Sequence, residues 1–296
     1  MTRFLKAFII LIALLYTYFE QTLSSTEQTR KIADRLYCDP SLCLRFNGTH
    51  MVQQPHIGCQ NSDQFATSCG SQPYLIRMGE RRRNFIVELH NLARSRIAEG
   101  QVPGYPPASR MPLLKWNNEL EYLAELNVKM CHFDHDRCHN THRFRYSGQN
   151  IGFFWINRAF ISHSKLLIEK ILKASSMILF TIIIMKLFLL KTPSEDPHIL
   201  VDSIYYIIFT YIISLLQSKK IEHFTMMVAD RAHHVGCAAI RYRDPNQAKI
   251  FKFLMTCNYD FNNLIDEPVY RTGRTASKCG NKIIKLCRCE KLIDFN

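Results

Sequence analysis

Eleven cysteines, spread from Cys38 to Cys289, constrain this chain more than any other feature. In a reducing cytosol such residues point to metal or redox chemistry, whereas in an oxidising compartment they point to bridges. The N-terminus chooses between the two. Arg3 and Lys6 precede the apolar run Ala7 to Phe19, and the polar Glu20 to Ser25 follows, which is the three-part layout of a secretory signal peptide. The run is shorter than the roughly 20 residues a membrane span needs. Residues 1–24 are therefore expected to be a signal peptide, the protein secreted, and its cysteines paired, with an odd one over. Asn47-Gly48-Thr49 is then a glycosylation acceptor.

The stretch Cys131-His-Phe-Asp-His-Asp-Arg-Cys138, followed by His139 and His142, has the residue types of a small zinc site. Its histidines recur three, four and three apart, so a helix would align them. Surface histidines beside charged residues are the plainer reading of His132, His139 and His142.

From Cys38 to Cys69 four cysteines lie among Gly, Pro, Asn and Ser with no periodicity, so residues 25–78 read as a loop-rich arm held by bridges. Phe85, Ile86, Leu89, Leu92, Ala93 and Ile97 fall at helical spacing, with Gly100 and Pro103 as the stop. Asn117 can cap a second helix carrying Leu120, Leu123, Ala124 and Val128. His223–Val228, Val235–Tyr242 and Ile250–Tyr259 read as strands, the last two joined through ArgAspProAsn as an antiparallel hairpin that Cys237 and Cys257 could bridge. Helices followed by an antiparallel sheet argue for an α+β domain with helices on the sheet faces.

The ordered set His90-Asn91-x-x-Arg94, LysTrpAsn at 115–117, CysHisPheAspHisAsp at 131–136, SerGlyGlnAsn at 147–150, HisPheThrMetMetVal at 223–228, ValGlyCys at 235–237 and ThrCysAsnTyr at 256–259 resembles the CAP superfamily, specifically the insect antigen-five or venom-allergen-like secreted proteins. The resemblance covers most of residues 37–270. It implies a three-layer α-β-α sandwich, a CAP domain over 79–270 with a cysteine-containing tail at 271–296. It also implies the bridges Cys38–Cys59, Cys43–Cys138, Cys69–Cys131 and Cys237–Cys257. Cysteines so bridged offer no thiolate to a metal. Cys279, Cys287 and Cys289 lie beyond this pattern.

The same resemblance makes His135 and His223 the cleft histidines, where some relatives bind a divalent metal. Gln149 stands where many CAP proteins have Glu, and an amide cannot act as a general base. Two imidazoles without carboxylates make a weak zinc site, since catalytic zinc takes three protein ligands. Ser147 is near His135 in sequence, but nothing in the sequence orients the pair. No cofactor is required on this reading; zinc at His135 and His223 is the one candidate.

One segment, about 165–217, interrupts the resemblance. It contains the apolar stretches Ile171 to Leu190 and Ile199 to Leu216, separated by LysThrProSerGluAspProHis. Three readings fit: a membrane hairpin, although Lys173, Lys186 and Asp202 are costly in a bilayer; extra core beside the cleft; or an unspliced intron or frame change, which the crowding of Ile, Phe, Lys, Leu, Tyr and Met favours.

The formal charge of +13 is scattered, without the aromatic interleaving of a nucleic-acid surface. The expected function is that of a secreted, non-enzymatic binding protein with a lipid, sterol or extracellular protein partner. The alternatives are a metal-dependent hydrolase or protease using the cleft histidines, an adhesion module, and a membrane-anchored CAP protein if 171–216 is expressed.

Overall fold

The computed structural model describes residues 34–102, 104–157, 222–244, 247–264 and 267–279. The expected signal peptide, both apolar stretches, and Cys287 and Cys289 lie outside the described residues. Two compact units emerge. The first runs through Ser62 and takes in Arg137–His142; the second comprises Asp63–Asp136 and the chain from Arg143 onward.

Among its described residues the first unit has little regular structure. A single 3-10 turn, Pro40–Leu42, is capped by the Asp39 side chain, and strands β1 (Leu44–Phe46) and β2 (Met51–Gln53) form a separate two-stranded antiparallel sheet. Disulfides Cys38–Cys59 and Cys43–Cys138 supply the order that so small a core cannot.

The second unit is built on a five-stranded sheet. Strands β3 (Tyr74–Ile76), β6 (His234–Asp244), β7 (Gln247–Tyr259) and β5 (Gly148–Asn157) lie in that order, and β4 (Lys115–Trp116) pairs parallel to β6. β6 and β7 are the expected hairpin, with Cys237 directly opposite Cys257 and bonded to it. β3 falls within 25–78, the segment read from composition as the arm.

Among the described residues three helices pack on the sheet: α1 (Glu80–Ala98), α2 (Asn118–Lys129) and the short α3 (Glu222–Met227). Alternation along the strands separates the two sheet faces. Val235, Cys237, Ala239, Met255, Cys257 and Tyr259 join Ile86, Leu89, Ala93 and Ile97 of α1, together with Met226 and Met227 of α3, in one core. Ala238, Ile240, Leu254 and Ile151 join Ala124 and Val128 of α2 in another. The result is helix, sheet, helix: an α+β fold in three layers.

Local chemistry explains the ends of these elements. Asn117 accepts from the Leu120 amide as the N-cap of α2, and Gly100, with φ of 69°, closes α1 in the left-handed region. Gly236 has a steric role, since a Cβ there would meet the backbone of Asn117 and of Leu120–Glu121 where α2 starts against β6.

Three expectations need correction. His223–Val228 is not a strand; residues 222–227 are helical, because consecutive Met226, Met227, Val228 and Ala229 are all buried, which an alternating half-buried strand would not allow. Short apolar runs do not separate helix from strand by period alone. Residues 131–142 are not helical either: α2 stops at Lys129, and Cys131, with φ of 51°, turns the chain away. The histidines there are consequently not aligned on one face. His139 is also buried, not a surface residue.

Candidate functional site

The loop that leaves α2 carries His135, and β5 and β7 face it. Gln149 of β5 lies opposite Asn258 of β7, two residues along from Thr256 and on the α2 face. The Gln149 side chain ties the loop to the sheet. Its Oε1 accepts from the Asp136 amide at 3.1 Å and sits 3.0 Å from His135 Nδ1, while its Nε2 donates to Asp136 Oδ2 at 2.7 Å and to Asn258 Oδ1 at 3.0 Å. Asn127 of α2 donates to Asp136 Oδ1 at 2.7 Å, and Asn127 Oδ1 accepts from Thr256 Oγ1.

These partners fix protons. A backbone N–H must meet an oxygen and a carboxylate must meet a donor, so the amide orientation follows from Asp136 alone. His135 Nδ1 therefore donates to Gln149 Oε1, and the residue as a whole is exposed. Both Asp136 oxygens are occupied by side-chain amides. The group orienting His135 is thus the neutral amide of Gln149.

His223 is the second residue of α3, but its side chain lies outside the described residues. The helix itself abuts the start of β5, because Met226 is where a Cβ on Gly148 would point. Arg94 holds the chain that follows α3. Fully buried, its guanidinium donates to the carbonyls of Pro112, Met227, Ala229 and Ala232 at 2.7–3.1 Å. Burial, opposed by Asp230, lowers its pKa to about 10.

The other motif residues on α1 are structural. Asn91 donates to the Leu114 carbonyl and accepts from the Leu114 amide. His90 Nδ1 donates to the Ile86 carbonyl, so its Nε2 accepts from Tyr259 Oη at 2.9 Å. Burial pushes the His90 pKa down to about 4 and raises that of Tyr259.

A second histidine was not singled out from the sequence. His234 Nδ1 lies 2.8 Å from Asp260 Oδ2, whose other oxygen accepts from the amides of His233 and His234. Asp260 follows Asn258 by two residues, so this dyad continues the row of polar groups that begins at Gln149. The doubled His233-His234 before ValGlyCys was the available signal.

The cysteines, too, can be weighed as metal ligands. Among the described residues, the one group of three with atoms close enough to share an ion is Cys43, His56 and Cys138. Cys43 and Cys138 are bonded to each other, so neither is a thiolate. His56 donates from Nε2 to the Asn140 carbonyl and accepts at Nδ1 from the Gly58 amide, leaving no lone pair to give. This donor set does not fit a metal. Cys131 is bonded to Cys69, so both cysteines of the stretch Cys131–Cys138 are disulfide partners. Cys279 is also disulfide-bonded.

Residues 87–259 match the model of the cysteine-rich secretory protein family, known as CAP. The chain belongs to the CAP family. Venom allergen-1 of Aedes aegypti is 35% identical to this CAP chain, over 82% of each. The antigen 5 like allergen Cul n 1 of Culicoides nubeculosus is 33% identical, over 70% of this chain and 83% of its own. Tabinhibitin 4 of Tabanus yao is 27% identical, over 76% and 78%. Among solved structures, that of NaASP2 with Zn2+ is 19% identical, covers 71% of this chain and 96% of its own, and has a TM-score of 0.38.

Proposed function

We propose that this CAP protein is secreted and acts by binding a lipid, a sterol or an extracellular protein, and not by turnover. One observation carries the reading: Gln149 occupies the position facing His135, and its amide is consumed in holding Asp136 and Asn258. A general base needs a proton acceptor at the reacting atom, and a hydrolytic zinc needs about three protein ligands. Bridges in both units support an oxidising compartment. The family's name and the allergen relatives support export.

The test is equilibrium binding of labelled sterol and fatty acid to the purified protein, with pull-down of extracellular proteins in parallel. Saturable binding of any one supports the reading; none in any arm removes it. A hydrolase reading has one observation in its favour, the His234–Asp260 dyad, in which a carboxylate does orient an imidazole. Peptide or ester turnover abolished by His234→Ala would establish it.

A further inference from the structure

The two-stranded sheet of the first unit presents an apolar face to water. Partners in an antiparallel pair share a face, and Phe46 pairs with Met51 while Leu44 pairs with Gln53. Leu44 is 51% exposed, Phe46 60% and Met51 53%. An isolated two-stranded hairpin is marginal in water, and these side chains give it no buried core. At its turn sits Phe46-Asn47-Gly48-Thr49, in which Gly48 has φ of 103°. Asn47 is exposed, and its Oδ1 accepts from the Thr49 amide, the Thr49 hydroxyl and the His50 amide at 2.9–3.0 Å. That leaves Nδ2 directed to solvent with both of its hydrogens.

We propose that Asn47 carries an N-linked glycan whose first N-acetylglucosamine lies on the Phe46 ring and covers the Leu44–Phe46–Met51 face. In the modification, Asn47 Nδ2 forms a bond to the anomeric carbon of a lipid-diphosphate-linked oligosaccharide. The amide gives up one proton as the bond from that carbon to the diphosphate breaks, and the lipid diphosphate leaves. The sugar's C–H bonds carry partial positive charge and suit the electron-rich face of an aromatic ring. A bulky, hydrated group rooted one residue from Phe46 reaches that ring easily and gives the face a wet outer surface. The occupant is named by the acceptor sequence at the turn itself, which is why the face need not await another protein.

The inference rests on export, and the two fail separately: protein retained in the cell contradicts export, whereas secreted protein with bare Asn47 contradicts the glycan alone. The full chain is produced in a eukaryotic secretory host, and the Asn47 peptide is weighed by mass spectrometry. Hydrogen exchange over 44–53 is then compared in glycosylated protein, protein trimmed to one N-acetylglucosamine, and the Thr49→Ala chain. The expected result is an occupied Asn47 and exchange slowed by about threefold or more, kept by the single sugar and lost in Phe46→Ala despite its glycan. An unmodified Asn47, or protection that does not depend on Phe46, would overturn the proposal. Because Phe46 and Thr49 are exposed on a hairpin tip, their substitution leaves the disulfides and the second unit to fold as before.

Discussion

Gln149 determines what His135 can do. Its amide is matched to Asp136, an acceptor on one side and an N–H donor on the other, and a carboxylate in its place would set two anionic oxygens 2.7 Å apart. Gln149→Glu is therefore expected to lower stability at pH 7 by about 1–3 kcal/mol. The sign of its pH dependence follows from repulsion, which raises the folded pKa of the new carboxyl above its unfolded value. The penalty is then present at neutral pH and shrinks as the pH falls into the carboxyl range. Thermal midpoints of both proteins at pH 7 and pH 4.5 check this; a gap that widens on acidification would contradict it. The substitution of Gln for Glu was legible in the sequence. Its partners were not, because Asn127, Asp136, Thr256 and Asn258 come together only through strand register and the turn at Cys131. His234 and Asp260 escaped notice for the same reason, being 26 residues apart.

At the scale of elements, α1 is the organising piece, and three of its polar residues, His90, Asn91 and Arg94, are buried as structural supports. Arg94 ties together Pro112, Met227, Ala229 and Ala232, and thereby the segment after α3. Truncation orphans those carbonyls, so Arg94→Ala should cost about 3–5 kcal/mol. At about 2–4 °C per kcal/mol, its midpoint should fall by roughly 6–20 °C; a fall of only a degree or two would contradict the clamp. His90 predicts an acid-sensitive fold. Its pKa drops from 6.5 in the unfolded chain to about 4 in the folded one, so the imidazole is neutral in both states above pH 6.5. As the pH falls from 6.5 towards 4, the unfolded state takes up the proton first, and roughly 3 kcal/mol is lost. Midpoints measured across that window should fall in wild type and fall less in His90→Gln. Periodicity revealed α1 and α2, and alternation revealed β6 and β7, because each is long enough to show its period. α3 was misread because it has six residues, and β4 and β3 were not distinguished because they have two and three.

At the scale of the molecule, ordered motifs conveyed more than any local pattern. Four bridges, the three-layer architecture and the family all accord with residues scattered from Cys38 to Tyr259. Most of those motif residues are buried supports: His90, Asn91, Arg94, Gly236 and Cys257 build the scaffold on which His135 is displayed. The apolar segment between β5 and α3 has its own test. Peptide mapping across 157–222 in secreted and membrane fractions should find flanking peptides in the soluble secreted protein and none from the apolar stretches; their recovery from membranes would instead make the protein anchored.

The most direct test of a His135 site that binds without turnover is a turnover assay. Purified secreted protein should be incubated with a peptide and ester library, with and without zinc, beside His135→Ala and His223→Ala. The expected result is no cleavage distinguishable from that of the two variants. Turnover that zinc supports and that either substitution abolishes would contradict it.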